Sequence, residues 1–124
     1  MMLARILWIV GGLLLSLPTS FFAQGVSTIE YQGVQIVPSL AGVVRDPADT
    51  PLAGVLVEEF GSDWKTALRS AKTDQQGHFA MTTVKGRETY FLQFSSHNCN
   101  PIRVRVRVDA KHGKELQVKM VNST

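Results

Sequence analysis

The side chains of this sequence that could do chemistry fall into three groups. His97 and Cys99 stand two apart in an Asn-rich run, Ser96-His97-Asn98-Cys99-Asn100. An imidazole and a thiol at that spacing could form half of a metal site or a redox thiol. Zinc, however, takes three or four ligands at recognisable spacings, and His78 and His112, the other histidines, complete no such spacing. No metal and no cofactor is expected. The pair reads instead as a polar surface loop with a small, partly buried thiol, or as a thiol that bridges to a second chain. The second group is Arg103, Arg105 and Arg107, which alternate with Ile102, Val104, Val106 and Val108. In an extended strand their side chains would line one face, about 7 Å apart. Such a stripe suits an anionic surface; the plainer alternative is a solvated face whose charges pair with Glu88 or Glu115 and discourage edge-to-edge aggregation. The third group is aromatic: Trp64, Tyr31 and Tyr90 could stack on a sugar. Trp64 is the foremost of them, in a loop beside Asp63 and Lys65, where its alternative role is to close one end of a core. The candidate ligand-binding residues are therefore Trp64, His97, Arg103, Arg105 and Arg107, with no catalytic residue among them.

Enzyme readings find little support. A serine hydrolase needs its nucleophile in a recognisable setting, and no Gly-x-Ser-x-Gly is present. Thirteen Lys and Arg stand against ten Asp and Glu, a net charge of +3. Nucleic-acid binders concentrate a basic stripe on a more basic domain, so no nucleic-acid partner is expected. With 44% apolar and 19% charged residues the composition is that of a globular chain.

These residues must be held by a scaffold, and its start is easy to place. Arg5 provides a positive n-region, residues 6–17 an uncharged apolar stretch, and Pro18 a break before small residues. That is signal-peptide architecture over residues 1–25, with cleavage after Gly25 favoured over Ala23. Export to the periplasm or outside the cell follows. The apolar stretch falls short of the roughly 20 residues of a spanning helix, so membrane contact is expected only if the segment stays uncleaved. Removing Arg5 leaves twelve basic against ten acidic residues. Cys99 is the only cysteine, so the exported domain must be held by packing, not by an internal disulfide.

Beyond this segment the chain reads as strands. Residues 26–38 are a lead-in, either a linker or an edge strand. Residues 40–44 and 55–60 form two apolar, β-branched runs, joined through Arg45-Asp46-Pro47 and Pro51-Leu52-Ala53-Gly54. A weaker strand covers 66–73. Asp74-Gln75-Gln76-Gly77 is a turn, with Asp as its cap and Gly supplying positive φ. Strands are expected over 78–84, 89–95, 102–108 and 116–120, and residues 121–124 carry no pattern. On the fifth, Tyr90, Leu92 and Phe94 share one face; on the sixth the strict apolar–Arg alternation means one face buried and one wet. Seven short strands at roughly ten-residue spacing and no amphipathic helix of normal length argue for a two-sheet sandwich.

Three groups of residues carry a resemblance: Gly42-Val43-Val44, Asp46, Pro51-Leu52, Gly54-Val55 and Val57; then Thr73-Asp74, Gly77 and Phe79; then Tyr90-Phe91-Leu92. The stretch 39–121 resembles the carboxypeptidase regulatory-like domains. The resemblance implies an all-β, seven-stranded Greek-key sandwich of the transthyretin (prealbumin) type. In that family a Gly-Tyr pair often follows the fifth strand, and here Ser96-His97-Asn98-Cys99-Asn100 stands in its place. Members are usually accessory domains, and related sandwiches are described as carbohydrate-binding-like, so the resemblance implies a non-catalytic domain recognising a protein or a carbohydrate at the cell envelope. The alternatives are a small hydrolase on a transthyretin-like scaffold and a purely structural envelope protein. The transthyretin-related hydroxyisourate hydrolases end in Tyr-Arg-Gly-Ser, whereas this sequence ends Val121-Asn122-Ser123-Thr124. That speaks against their activity here.

Overall fold

The computed structural model describes residues 27–123; the signal-peptide reading of residues 1–25 lies outside them. Ten strands and no helix make up the described chain: β1 (Ile29–Val37), β2 (Ala41–Arg45), β3 (Leu56–Phe60), β4 (Ala67–Lys72), β5 (His78–Ala80), β6 (Thr89–Ser95), β7 (Cys99–Asn100), β8 (Ile102–Val108), β9 (Leu116–Lys119) and β10 (Val121–Asn122). A five-stranded sheet runs β1-β8-β6-β3-β4, a three-stranded sheet runs β5-β2-β9, and β10 pairs with β7.

The alternating strands sit as their pattern dictates. Ile102, Val104 and Val106 on β8 and Tyr90, Leu92 and Phe94 on β6 are buried side by side, together with Val57 of β3. Val44, Phe79, Leu116 and Val118 come from the other sheet, and Val55 from just before β3. Phe79 meets Phe94 edge-on at 5.3 Å between ring centres, one contact that joins the two sheets. Burial of this size, at about 1.5–3 kcal/mol per large apolar side chain, is what holds a domain whose one cysteine is free.

The turns work through named groups. Asp74 Oδ1 accepts the N–H groups of Gln76 and His78, both at 2.9 Å. Gly77 takes φ +78°, and a Cβ there would stand 2.6 Å from Val44 O, so only glycine fits. Asp46 repeats the device on Ala48 and Thr50. Thr73 Oγ1 accepts from Val55 N and donates to Leu52 O, tying the 51–55 segment to the end of β4.

In one place the structure decides between two readings, and in three it differs from expectation. The lead-in is an edge strand: β1 runs parallel to β8, with a register shift between Glu30 and Val34 that holds Gly33 at φ +70°. The strand expected over 78–84 stops at Ala80. The Phe79–Met81 alternation is followed by Thr82 and Thr83, and after Met81 N–H reaches Leu40 O at 2.8 Å the chain crosses to the other sheet. The Ser96–Pro101 loop and the patternless tail pair with each other as β7 and β10, and Ser123 N–H adds a bond to Asn98 O. Two-residue strands are too short to show a period. With β1, β7 and β10 added, seven expected strands become ten.

Candidate functional site

The outward face of the five-stranded sheet gathers most of the candidates. Strand register places Val34 (β1), Arg105 (β8), Phe91 (β6) and Phe60 (β3) in one row across it. The next row holds Ile36, Arg107 and Thr89, and the row on the other side Glu30, Arg103, Gln93 and Glu58. This follows from period-two geometry: with Val104 and Val106 facing the core, their neighbours must face out.

Trp64 joins the face from the loop between β3 and β4. Its N–H bonds Gly61 O at 2.9 Å, Gly61 N–H bonds Thr66 O, and Asp63 Oδ1 caps Lys65 N–H. The loop leaves Trp64 at φ +62°, where a bulky residue is an outlier costing about 1–2 kcal/mol. The ring accounts for it. It packs edge-on to Phe91 at 5.5 Å, lies 6.1 Å from Phe60, and carries the Arg103 guanidinium 4.8 Å above its centre. Each aromatic pair contributes about 0.5–1.5 kcal/mol and the cation about 0.5–1 kcal/mol, which together offset the backbone term. Trp64 therefore neither closes an end of the core nor presents an uncovered ring; it folds back onto the outer sheet face.

The arginines divide. Arg103 donates to Gln93 Oε1 at 2.9 Å and lies 4.0 Å from Glu30. Among the described residues Arg105 and Arg107 form no ion pair and no side-chain hydrogen bond, and both are exposed. The expected pairing with Glu88 or Glu115 is not found for any of the three. Glu88 instead offers its backbone carbonyl to Val108 N–H, and Glu115 accepts from Gln117. Beside the stripe, Val34 and Ile36 are 45% and 39% exposed. At the turn after β8 the Asp109 carboxyl is held below its usual range, chiefly by the His112 side chain and then by the Lys111 N–H, with Arg107 a minor contributor.

His97 is not part of this face. It is exposed on the turn between β6 and β7, where Cys99 N–H bonds Ser96 O and Asn98 takes φ +63°. Cys99 is half-buried and packs against the core. Among the described residues no three His, Cys, Asp or Glu side chains converge to hold a metal ion. Tyr90, one of the three candidate stacking aromatics, is wholly buried. Its hydroxyl accepts Val84 N–H and donates to Arg87 O, both at 2.8 Å.

One charged cluster escaped sequence reasoning. Glu59, 1% exposed on the inward face of β3, accepts from Arg69 Nε at 2.6 Å and pairs with Arg87 Nη2 at 2.7 Å. Arg69 also reaches Thr82, and Arg87 lies over the Tyr90 ring. The signal was available: in the β3 alternation Glu59 falls on the face of Val57, so it had to be buried, and a buried carboxylate needs cations.

The profile of the carboxypeptidase regulatory-like domain matches residues 39–121. The chain belongs to this family. No curated protein gives a significant match to it. A carboxypeptidase regulatory-like domain is a non-catalytic β-sandwich domain, which agrees with the strand layout described above. The matched residues start just after β1 ends. Within this carboxypeptidase regulatory-like domain chain, Val34 and Ile36 thus lie on a strand added beside the matched region, and that strand widens the arginine face.

Proposed function

We propose that this chain is an exported accessory domain that recognises a protein at the cell envelope through the outward face of β6, β8 and β1. The observation that carries the reading is the composition of that face. Trp64, Phe60 and Phe91 adjoin Arg103, Arg105 and Arg107, and the exposed Val34 and Ile36 flank them. Aromatic residues and arginine are enriched where proteins meet and dominate the energy of such contacts. Arg105 and Arg107, lacking partners among the described residues, call for acidic groups on the other side, while the valine and isoleucine call for an apolar contact. A carbohydrate fits less well at Trp64, because Arg103 already covers the ring. Export is supported by the n-region, apolar stretch and small residues of positions 1–25.

The test pairs fractionation with capture. Cell fractionation with mass measurement should find the protein outside the cytoplasm, shortened at its N-terminus. Wild-type protein and an Arg105→Glu/Arg107→Glu variant, each immobilised, are then exposed to envelope extract. A protein held by wild type and lost from the folded variant supports the reading. Equal retention by both, or retention by neither, overturns it, and a glycan array that responds only to wild type would replace protein by carbohydrate.

A further inference from the structure

On the opposite side of the sandwich a concavity of about 200 Å³ opens where β1 meets the β2–β9 pair, lined by Tyr31, Arg45, Asp49, Gln117, Val118 and Lys119. Parallel register makes Arg45 and Lys119 direct neighbours. Two cations side by side repel, and the group between them does not fully satisfy either. Asp49 lies 4.0 Å from Arg45 Nε and 3.9 Å from Lys119 Nζ, close enough for attraction but too long for a hydrogen bond. Arg45 spends one N–H on Gln117 Oε1. The ammonium of Lys119 has no hydrogen-bond acceptor among the described residues. Tyr31 Oη accepts Lys119 N–H at 3.3 Å, which leaves its own proton to donate. Asp49 is set at φ +74° by the Asp46-capped loop, with its N–H on Asp46 O. The cleft therefore carries one surplus positive charge, several unused donors and one carboxylate acceptor, on positions from three strands and a loop.

We propose that this cleft binds a small hydroxylated carboxylate, the chemistry of a uronic acid. Its carboxylate takes the donors of Arg45 and Lys119 that Asp49 and Gln117 leave unused, as charge-assisted hydrogen bonds. Its hydroxyl groups donate to Asp49 and accept from Tyr31. The volume is below the roughly 300–1,000 Å³ of sites for drug-sized ligands, which limits the occupant to about one sugar ring. Tyr31 lies on β1, outside the residues 39–121 that match the family, so the site is completed by the added strand. It shares no residue with the arginine face and stands or falls independently of the protein-recognition reading.

The test is a titration of the isotope-labelled full chain with sodium glucuronate at fixed ionic strength, followed by amide NMR, with glucose and acetate in parallel. Saturable shifts at Tyr31, Asp49 and Lys119 are expected, with a midpoint on the order of 1 mM. Glucose should give none, and acetate a midpoint at least about tenfold higher for want of hydroxyl contacts. Arg45→Gln and Lys119→Gln should each weaken glucuronate about tenfold or more, with spectra elsewhere unchanged. No saturable shift up to about 50 mM overturns the proposal. So do equal midpoints for acetate and glucuronate, shifts that persist in both folded variants, or shifts confined to the Arg103–Arg107 face.

Discussion

Replacing Glu59 by Gln keeps the size of the side chain and one acceptor oxygen but removes its charge. In the native domain that carboxylate is 1% exposed and holds two arginines, at 2.6 and 2.7 Å. Removing one member of a fully buried pair costs about 3–5 kcal/mol, because the remaining charge stays in a poor solvent. Here the arginines are 28% and 39% exposed. Each recovers part of its hydration, so a discounted loss of about 2–3 kcal/mol is expected. At about 4–8 °C per kcal/mol for a domain near 100 residues, the melting point should fall by roughly 10–20 °C. Thermal and urea unfolding followed by far-UV circular dichroism would measure it. Exchanging all three charges for apolar groups, Glu59→Leu with Arg69→Met and Arg87→Met, should restore most of the loss, since no ion is then left unpaired. A melting point for Glu59→Gln within about 2 °C of wild type would refute the assignment of these contacts as stabilising. A triple variant weaker than the single one would show that the arginines act through their packing, such as that of Arg87 over Tyr90.

Other perturbations separate the remaining elements. Val106→Asp places an unpaired charge at a wholly buried position of β8 and should abolish folding; a cooperative melt near the wild-type temperature would contradict the β8 register. Arg105→Ala should move stability by no more than about 0.5 kcal/mol, as read by urea titration. Trp64→Gly should be more stable than Trp64→Ala by about 1 kcal/mol, because glycine relieves the positive φ while both lose the ring; the reverse order would remove the strain from the account of that loop. Tyr90→Phe removes the acceptor of Val84 N–H at a partly exposed position, where water takes part of its place, and should cost about 0.5–1.5 kcal/mol, with faster amide exchange at Val84 as the local readout.

Residue pattern alone specified the strands with a strong period. Where apolar and polar residues alternate strictly, as at Ile102–Val108, only one placement of the strand buries the apolar set, so burial is legible before folding. At Thr89–Ser95 Phe91 interrupts the alternation, yet Tyr90, Leu92 and Phe94 still share one face. The Asp74–Gly77 turn is legible for a similar reason, since its chemistry is local: an Asp oxygen on two nearby N–H groups and a glycine at φ +78°. The arginine stripe was legible as a stripe. Its neighbours were not, because β1 comes from residues some seventy positions earlier and pairs in parallel, a contact no short-range period encodes. The same distance in sequence hid the Arg45–Lys119 cleft. The burial of Glu59, by contrast, was legible in the β3 alternation, and only the identity of its partners, Arg69 on β4 and Arg87 just before β6, needed the folded chain. Trp64 shows the division most plainly. Its type and loop marked it as unusual, but whether its ring would cap the core, face solvent or lie on the sheet depended on Phe60, Phe91 and Arg103. Those three come from three different strands, and only the assembled sheet brings them together.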